Sequence, residues 1–487
     1  MRKAIIALLI LGSINTVSGQ TEAGVFTATG RAAATPFVTD YQALGINPGN
    51  LDLTPEYEGK MVTFGIAEGS ASMYSSFFSK EEVRNTFLRN DFQTLDQQQR
   101  RDYAANLAGE DTRLNLDIIT SGVSVRMGNA GTIAFSTRER IDASTTLGPK
   151  VAEVLFLGYS SDYFSELVLT TGDTIPNTGN LSADTLNLVE KGIVDIENAL
   201  SLAQFADQTS IGFSWIREFN LGYGKKIYST EDMEVHLGVG GKLLIGNAYM
   251  QVDIEGTNVD AFAALSPLFD VPYGDLAAEN PSSLAENAPP LKPVGLGWGV
   301  DLGTTIVYKE KLLITAAVND IGEMTWDANL YQLDNQLFTE YEEDGSETVD
   351  FIEEIVNFAG SEGIFDWQGL TKQKTKLPTT GRLGVGFTLN EKLRLAADAV
   401  MPVQESVINI DKPIISAGAD FRPLPFIQLS AGMVAGNNEV AKIPVGLTFI
   451  VGKGTWEAGI ASRDMITWFT ESNPTASLSW GFLRFRV

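Results

Sequence analysis

The chain has 487 residues, 61 acidic against 35 basic, for a formal net charge of −26, with 44% hydrophobic residues and no cysteine. That balance excludes a nucleic-acid or anionic-surface binder, which needs clustered Lys and Arg, and the lack of cysteine excludes disulfides and thiol chemistry. Past residue 12 no apolar run approaches the ~18 residues of a spanning helix, and the forty-seven glycines fall inside alternating segments with no linker or long-period repeat between them.

Met1-Arg2-Lys3, the apolar run Ala4 to Gly12 and the small residues Val17-Ser18-Gly19 read as a secretory signal peptide over 1–19. Removing its two bases leaves 33 against 61 acids, a balance of −28. Residues 20–59 do not read as a hairpin. They hold a small-residue run from Gly30, then Asp40, Ala43 and the turn Ile46-Asn47-Pro48-Gly49-Asn50-Leu51. Pro48 fixes φ and biases Asn47 away from helix. Gly49 and Asn50 accept left-handed conformations, so 46–51 predicts a compact turn. Asp40 and Asn47 are the residues expected to anchor it, through Arg382, Arg394 or Arg422.

From residue 60 to 487 the pattern is alternation with period two, and the fold class it predicts is all-β: an antiparallel transmembrane barrel of about fourteen strands. They are expected at 60–79, 112–127, 131–141, 208–220, 233–257, 294–307, 311–326, 378–389, 392–401, 413–422, 426–436, 442–451, 455–463 and 476–487. Leu383, Val385, Phe387 and Leu389 alternate with Arg382, Gly384 and Gly386; Leu395 and Ala397 alternate with Arg394 and Asp398; Phe421 alternates with Asp420 and Arg422. Trp298 and Leu302 flank Asp301, and His236 lies opposite Val235 and Leu237. A wall with grease on one face and glycines and charges on the other suits lipid outside and an enclosed polar centre. His236, Asp301, Arg382, Arg394, Asp398, Asp420, Arg422, Arg484 and Arg486 are therefore the expected lumen-facing residues.

The connections sort by length. With the last strand descending, 128–130, 221–232, 308–310, 390–391, 423–425 and 452–454 fall on the periplasmic side with both termini, and five of the six are very short. The long connections 80–111, 142–207, 258–293 and 327–377 fall outside, as in single-chain outer-membrane barrels. Helix is expected in the polar stretch from Ser79 through Asp111, opened by the capping-box spacing of Ser79 and Glu82, over 184–206 from near-helical apolar spacing, and over 351–359. Segment 327–377 holds twelve acids and three lysines and reads as a solvated face, with no calcium-loop pattern. The chain ends on Leu483-Arg484-Phe485-Arg486-Val487, in which Leu483, Phe485 and Val487 share one face and the two arginines the other, as in a closing strand.

The segment from Gly30 to Leu51 resembles the amino-terminal hatch of the long-chain fatty-acid transporter family of outer-membrane barrels and their type IX secretion-shuttle relatives. That resemblance implies fourteen strands and a segment folded into the lumen as a plug. Gly45-Ile-Asn-Pro-Gly-Asn-Leu51 and Asn319-Asp-Ile-Gly-Glu-Met-Thr-Trp326 are similar to a family of uncharacterised Bacteroidetes-type outer-membrane barrels with a domain of unknown function. This implies fold and location and carries no ligand residues over.

No Gly-x-Ser-x-Gly elbow, phosphate loop or metal-spaced His/Cys set occurs, and the one His, His236, has no triad pattern around it. No enzyme, cofactor or metal is expected. The partners the pattern admits are the bilayer of a Gram-negative outer membrane, a small apolar ligand, and a protein at the cell surface. Two functions follow: a barrel plugged by 20–59 for passive uptake of small hydrophobic molecules, or a non-transporting surface barrel whose acidic loops bind a protein in secretion, adhesion or motility.

Overall fold

Fourteen antiparallel strands close on themselves in the computed structural model, which describes residues 24–53, 59–77, 79, 95–179, 181–269, 279–285, 287–333, 335–342, 344, 367–404, 412–436, 439–465, 469 and 476–487. In chain order the strands are β1 Val62–Ser75, β2 Thr112–Arg126, β3 Thr132–Thr146, β4 Thr209–Ser229 and β5 Met233–Glu255. They continue as β6 Gly295–Tyr308, β7 Leu312–Trp326, β8 Thr380–Asn390, β9 Leu393–Pro402 and β10 Ile414–Leu424. The last four are β11 Ile427–Gly436, β12 Val445–Val451, β13 Trp456–Ser462 and β14 Ala476–Arg486. Each pairs with the next, and β14 returns to β1 from Thr63↔Arg486 to Met73↔Ala476, so the sheet has no edge there. Closure pairs every wall strand on both sides, which a bilayer demands because lipid offers no hydrogen bonds.

The side chains sort as the alternation predicts. Trp298, Leu395 and Phe421 are 53%, 42% and 46% exposed, and Leu383, Val385, Phe387 and Leu389 face out with them. Arg382, Asp398, Asp420 and Asp301 on the intervening positions are buried. A water-soluble sandwich would reverse this arrangement; here the apolar face is the outer surface of a cylinder built for lipid.

Six connections at one end are tight turns: 127–131, 230–232, 309–311, 391–392, 425–426 and 452–455. The expected 221–232 connection is shorter than predicted because β4 runs on through Gly222-Tyr223-Gly224 to Ser229. At the other end β4 and β5 reach 21 and 23 residues, roughly double the 9–11 that cross a bilayer. Their excess carries further sheet, with Asn258–Leu265 pairing back on β5 and Leu330–Leu333 on it in turn.

This far end is covered by a cap with its own core. The helices Gln97–Leu107 and Pro149–Leu157 pack with Phe164, Phe205, Phe338, Tyr341 and Trp367. Phe205 and Phe338 sit 4.5 Å apart and Tyr163 stacks on Phe338 at 5.6 Å. The Tyr163 hydroxyl donates to the Phe338 carbonyl at 2.6 Å and accepts from the Leu200 amide at 3.1 Å, and burial pushes its phenol above the ordinary range. The helix expected over 184–206 does not form. Val189–Ile193 is a strand between Glu166–Leu169 and Glu340–Tyr341, and only Ala183–Leu186 and Leu202–Phe205 are helical. Long-range pairing overrides the local spacing there, with Gly192 seated against the Tyr159 carbonyl and the Phe164 ring. The expected helix at 351–359 lies outside the described residues, as do residues 80–94 of the stretch from Ser79 to Asp111, whose later part is helical over Gln97–Leu107.

Candidate functional site: the barrel interior

The polar inner face is occupied by the chain's own residues 24–53. Nearly all are buried, among them Asn47, Pro48, Gly49, Asn50 and Leu51, and Asp40 is 8% exposed. The segment turns sharply: Asn47 caps a 3-10 turn over Pro48–Asn50, its Oδ1 accepting from the Gly49 amide at 3.0 Å. Its left-handed residues are Ala32, Asp40 and Gly45 rather than the expected Gly49 and Asn50. Gly49 is needed for a different reason. A Cβ there would lie 2.8 Å from the Thr304 backbone, so the turn rests directly on β6.

The wall's glycines are the matching seats. Gly65 and Gly122 lie under the Tyr41 ring, Gly238 and Gly303 under the Pro48 turn, Gly386 under Phe37, and Gly432 under the Arg31 carbonyl. Side chains at these positions would collide with the segment, which explains an inner face too glycine-rich for an ordinary strand.

Polar contacts latch the segment to nearly every side of the cylinder. Asn47 Nδ2 donates to Thr305 Oγ1 at 3.0 Å, and Asn50 Nδ2 ties back to the Thr35 and Val38 carbonyls at 2.7 and 2.8 Å. The Thr35 amide donates to Asp398 at 2.8 Å. Arg31 pairs with Asp420, which Arg394 also reaches at 3.2 Å, and Arg394 lies 5.1 Å from the Phe37 ring centre. The Tyr41 hydroxyl and Gln42 Nε2 each donate to Glu68 at 2.6 Å. Asp52 accepts from Thr132 Oγ1 at 3.0 Å and the Lys226 amide at 2.8 Å.

Asp40 differs from expectation. Its partners are Arg484 at 2.5 Å and Arg486 at 3.8 Å, which also hold Glu457 at 2.5 and 2.8 Å, instead of Arg382, Arg394 or Arg422. Both guanidinium groups lie on the closing strand, where a fork of donors meets two carboxylates. Arg422 bonds to Gln428 Oε1 at 2.9 Å, Arg382 is buried on β8, and His236 is buried near the tight-turn end with Nε2 3.2 Å from Glu234.

At mid-height, between the segment and the cap, is a second charged layer. Arg140 reaches Glu218 at 2.8 Å and Asp320 at 3.3 Å; Lys242 pairs with Asp301 at 3.1 Å and also with Asp320. Asp320 is left-handed, so Asn319 and Asp320 are both buried, and Ile321 returns to the outer face. The bulge re-aims the rest of β7. Beyond it Met324 and Trp326 join Leu244, Tyr249, Phe262 and Leu377 in an apolar layer, with Tyr249 5.0 Å from both Trp326 and Phe262.

Of these residues, sequence reasoning singled out the Asp40 turn, Asp301 and the β8–β10 and β14 charges, and missed Arg31, Glu68, Arg140, Glu218, Lys242, Asp320 and Glu457. A lone arginine in a small-residue run was a readable signal for Arg31, and Asp320 sat inside the element ending at Trp326. Glu68 was not readable, since it faces inward only through the left-handed Ala67 before it.

Solved structures similar to this chain include the toluene transporter TodX of Pseudomonas putida, at 9% identity over 96% of this chain and 97% of that one, with a TM-score of 0.39. A TodX deltaS2S3 mutant monoaromatic hydrocarbon channel is 10% identical over 95% and 98%, at 0.46. A Pseudomonas aeruginosa FadL homologue is 10% identical over 97% and 98%, at 0.38. No curated protein matches the chain. The model described as "Family of unknown function (DUF5723)" matches residues 169–456, more than half of the sequence, and the chain belongs to that family.

Proposed function

We propose that this is an outer-membrane barrel, its tight turns toward the periplasm, closed at rest by residues 24–53 acting as a plug, and that it takes up small apolar molecules from outside. The observation that carries the reading is the apolar layer of Leu244, Tyr249, Phe262, Met324, Trp326 and Leu377 on the inner side of the wall, between the cap and the charged layer. An open porin lines its lumen with polar groups, whereas a site for an apolar molecule is mostly aromatic and aliphatic with few polar contacts. Exposed Leu188, Ile196 and Leu337 on the cap supply apolar surface for a first encounter. Movement of the plug, rather than a standing aqueous hole, then opens the way inward.

The test is uptake of naphthalene by cells with and without the barrel, beside conductance of the purified protein in planar bilayers. The reading expects faster uptake with the barrel, a loss of that gain in Trp326→Asp, and no large steady conductance. Equal uptake with and without the barrel sinks it. A second reading, that the barrel does not transport and its cap binds a protein at the surface, draws on the size of the cap's core, to which β4 and β5 contribute Ile211, Val252 and Ile254. It expects uptake to be the same with and without the barrel, and a captured partner to be lost when the cap is disrupted.

A further inference from the structure

We propose that residues 24–53 have a second role, as the clasp that holds the first and last strands of the barrel together. The β1–β14 seam joins the two ends of the cylinder, so no turn tethers it and only non-covalent contact keeps it shut.

Its ladder is interrupted. Ile66 pairs with Leu483 and Gly69 with Trp480, but Ala67 and Glu68 between them have no partners on β14. β14 makes nine register pairs with β1 and, on its other side, five with β13 across a second irregularity. By contrast β5 and β6 pair through fourteen consecutive positions. On the outer side the gap is patched by the Trp480 indole N–H, which donates to the Ala67 carbonyl at 3.1 Å.

On the inner side the N-terminal segment bridges it. Asp40 grips Arg484 of β14 at 2.5 Å, and the next two residues, Tyr41 and Gln42, both donate to Glu68 of β1 at 2.6 Å. Three consecutive residues therefore hold the two strands at the level where their backbone pairing lapses. A second bridge lies further along, where Thr29 Oγ1 is 2.9 Å from Ser479 Oγ on β14 and Gly24 sits against Ser70 of β1. Cause and remedy share one device. The left-handed Ala67 interrupts the ladder without shifting its register, and the same turn of the backbone points Glu68 inward as an anchor.

The chain has no cysteine, so introduced pairs label cleanly. Ile66→Cys with Leu483→Cys places two spin labels on the outer face directly across the seam, and Val385→Cys with Ala397→Cys gives a reference pair across β8–β9. In the full-length protein in lipid, Asp40→Ala is expected to add a seam population longer by about one strand spacing, ~5 Å. The reference pair stays put. Asn47→Ala, which loosens the segment at Thr305 on the far wall, leaves the seam closed. Should Asp40→Ala not assemble, Tyr41→Phe keeps the ring seated and removes only the hydroxyl bond, and it should widen the seam to a smaller extent. An unchanged seam in the assembled clasp variants, equal widening of the reference pair, or equal widening in Asn47→Ala overturns the proposal.

Discussion

Gly303→Ala is the sharpest probe of the seated segment. A Cβ at this position meets Asn47 Oδ1 first, a side-chain oxygen held in place by the Gly49 amide, and lies 2.9 Å from both the Gly49 amide nitrogen and Pro48 Cδ. Either β6 or the Pro48 turn must move. Overpacking of a well-packed interior by one methyl costs about 1–3 kcal/mol. At 1.4 kcal/mol per factor of ten, the ratio of unseated to seated segment rises about 5- to 150-fold. While the seated state still dominates, open time in planar bilayers rises by the same factor. Gly241→Ala is the control, because a Cβ there meets nothing within 4 Å. Frequent channel openings in Gly303→Ala, with Gly241→Ala as quiet as the native protein, are the expected pair. Equal traces for all three proteins refute the claim that this close seat keeps the barrel closed.

Other substitutions separate wall, latch and cap. Leu395→Arg places a charge on the lipid face and should cost about 2–4 kcal/mol if its level is the bilayer midplane, read from urea unfolding in lipid vesicles; a neutral result would mean that Leu395 faces water. Arg484→Ala leaves Asp40 and Glu457 beside a lost buried cation, so a loss of about 3–5 kcal/mol is expected in the same unfolding assay. Asp420→Asn weakens its pairing with both Arg31 and Arg394 and should raise channel opening without the full cost of Arg484→Ala. Phe338→Ala removes the ring at the centre of the cap. It should let protease cut the cap while the barrel keeps its compact, heat-sensitive mobility on gels; loss of the barrel as well would show the two are one folding unit.

The wall was legible because a bilayer-facing strand leaves a strict period-two record. Leu383, Val385, Phe387 and Leu389 against Arg382, Gly384 and Gly386 fixed both the strand and its faces, and all fourteen wall strands fall where that record runs. What the record lacks is a change of face within a strand. The left-handed Ala67 and Asp320 each shift the inward face by one residue, so Glu68 and Asp320 were invisible as interior charges. The cap was poorly legible for another reason. Its apolar spacing over 184–206 serves a sheet assembled from segments about 20 and 150 residues away. The helix Pro149–Leu157 was missed although it carries Pro at its first position and Gly158 after its last. In the barrel interior, glycines signalled close approach, but which charge meets which is set by three-dimensional placement. Asp40 goes to the closing strand, and Arg31 takes the neighbourhood of Arg394.

The central claim is that grease faces lipid and charge faces an enclosed centre all the way round. Single spin labels walked along β8 from Arg382 to Leu389, in a chain with no native cysteine, test it most directly through collision with oxygen in lipid and with a nickel chelate in water. The account predicts high oxygen contact at Leu383, Val385, Phe387 and Leu389 and low contact at the positions between them, repeating with period two. Nickel contact at the leucine positions, or no alternation at all, contradicts it.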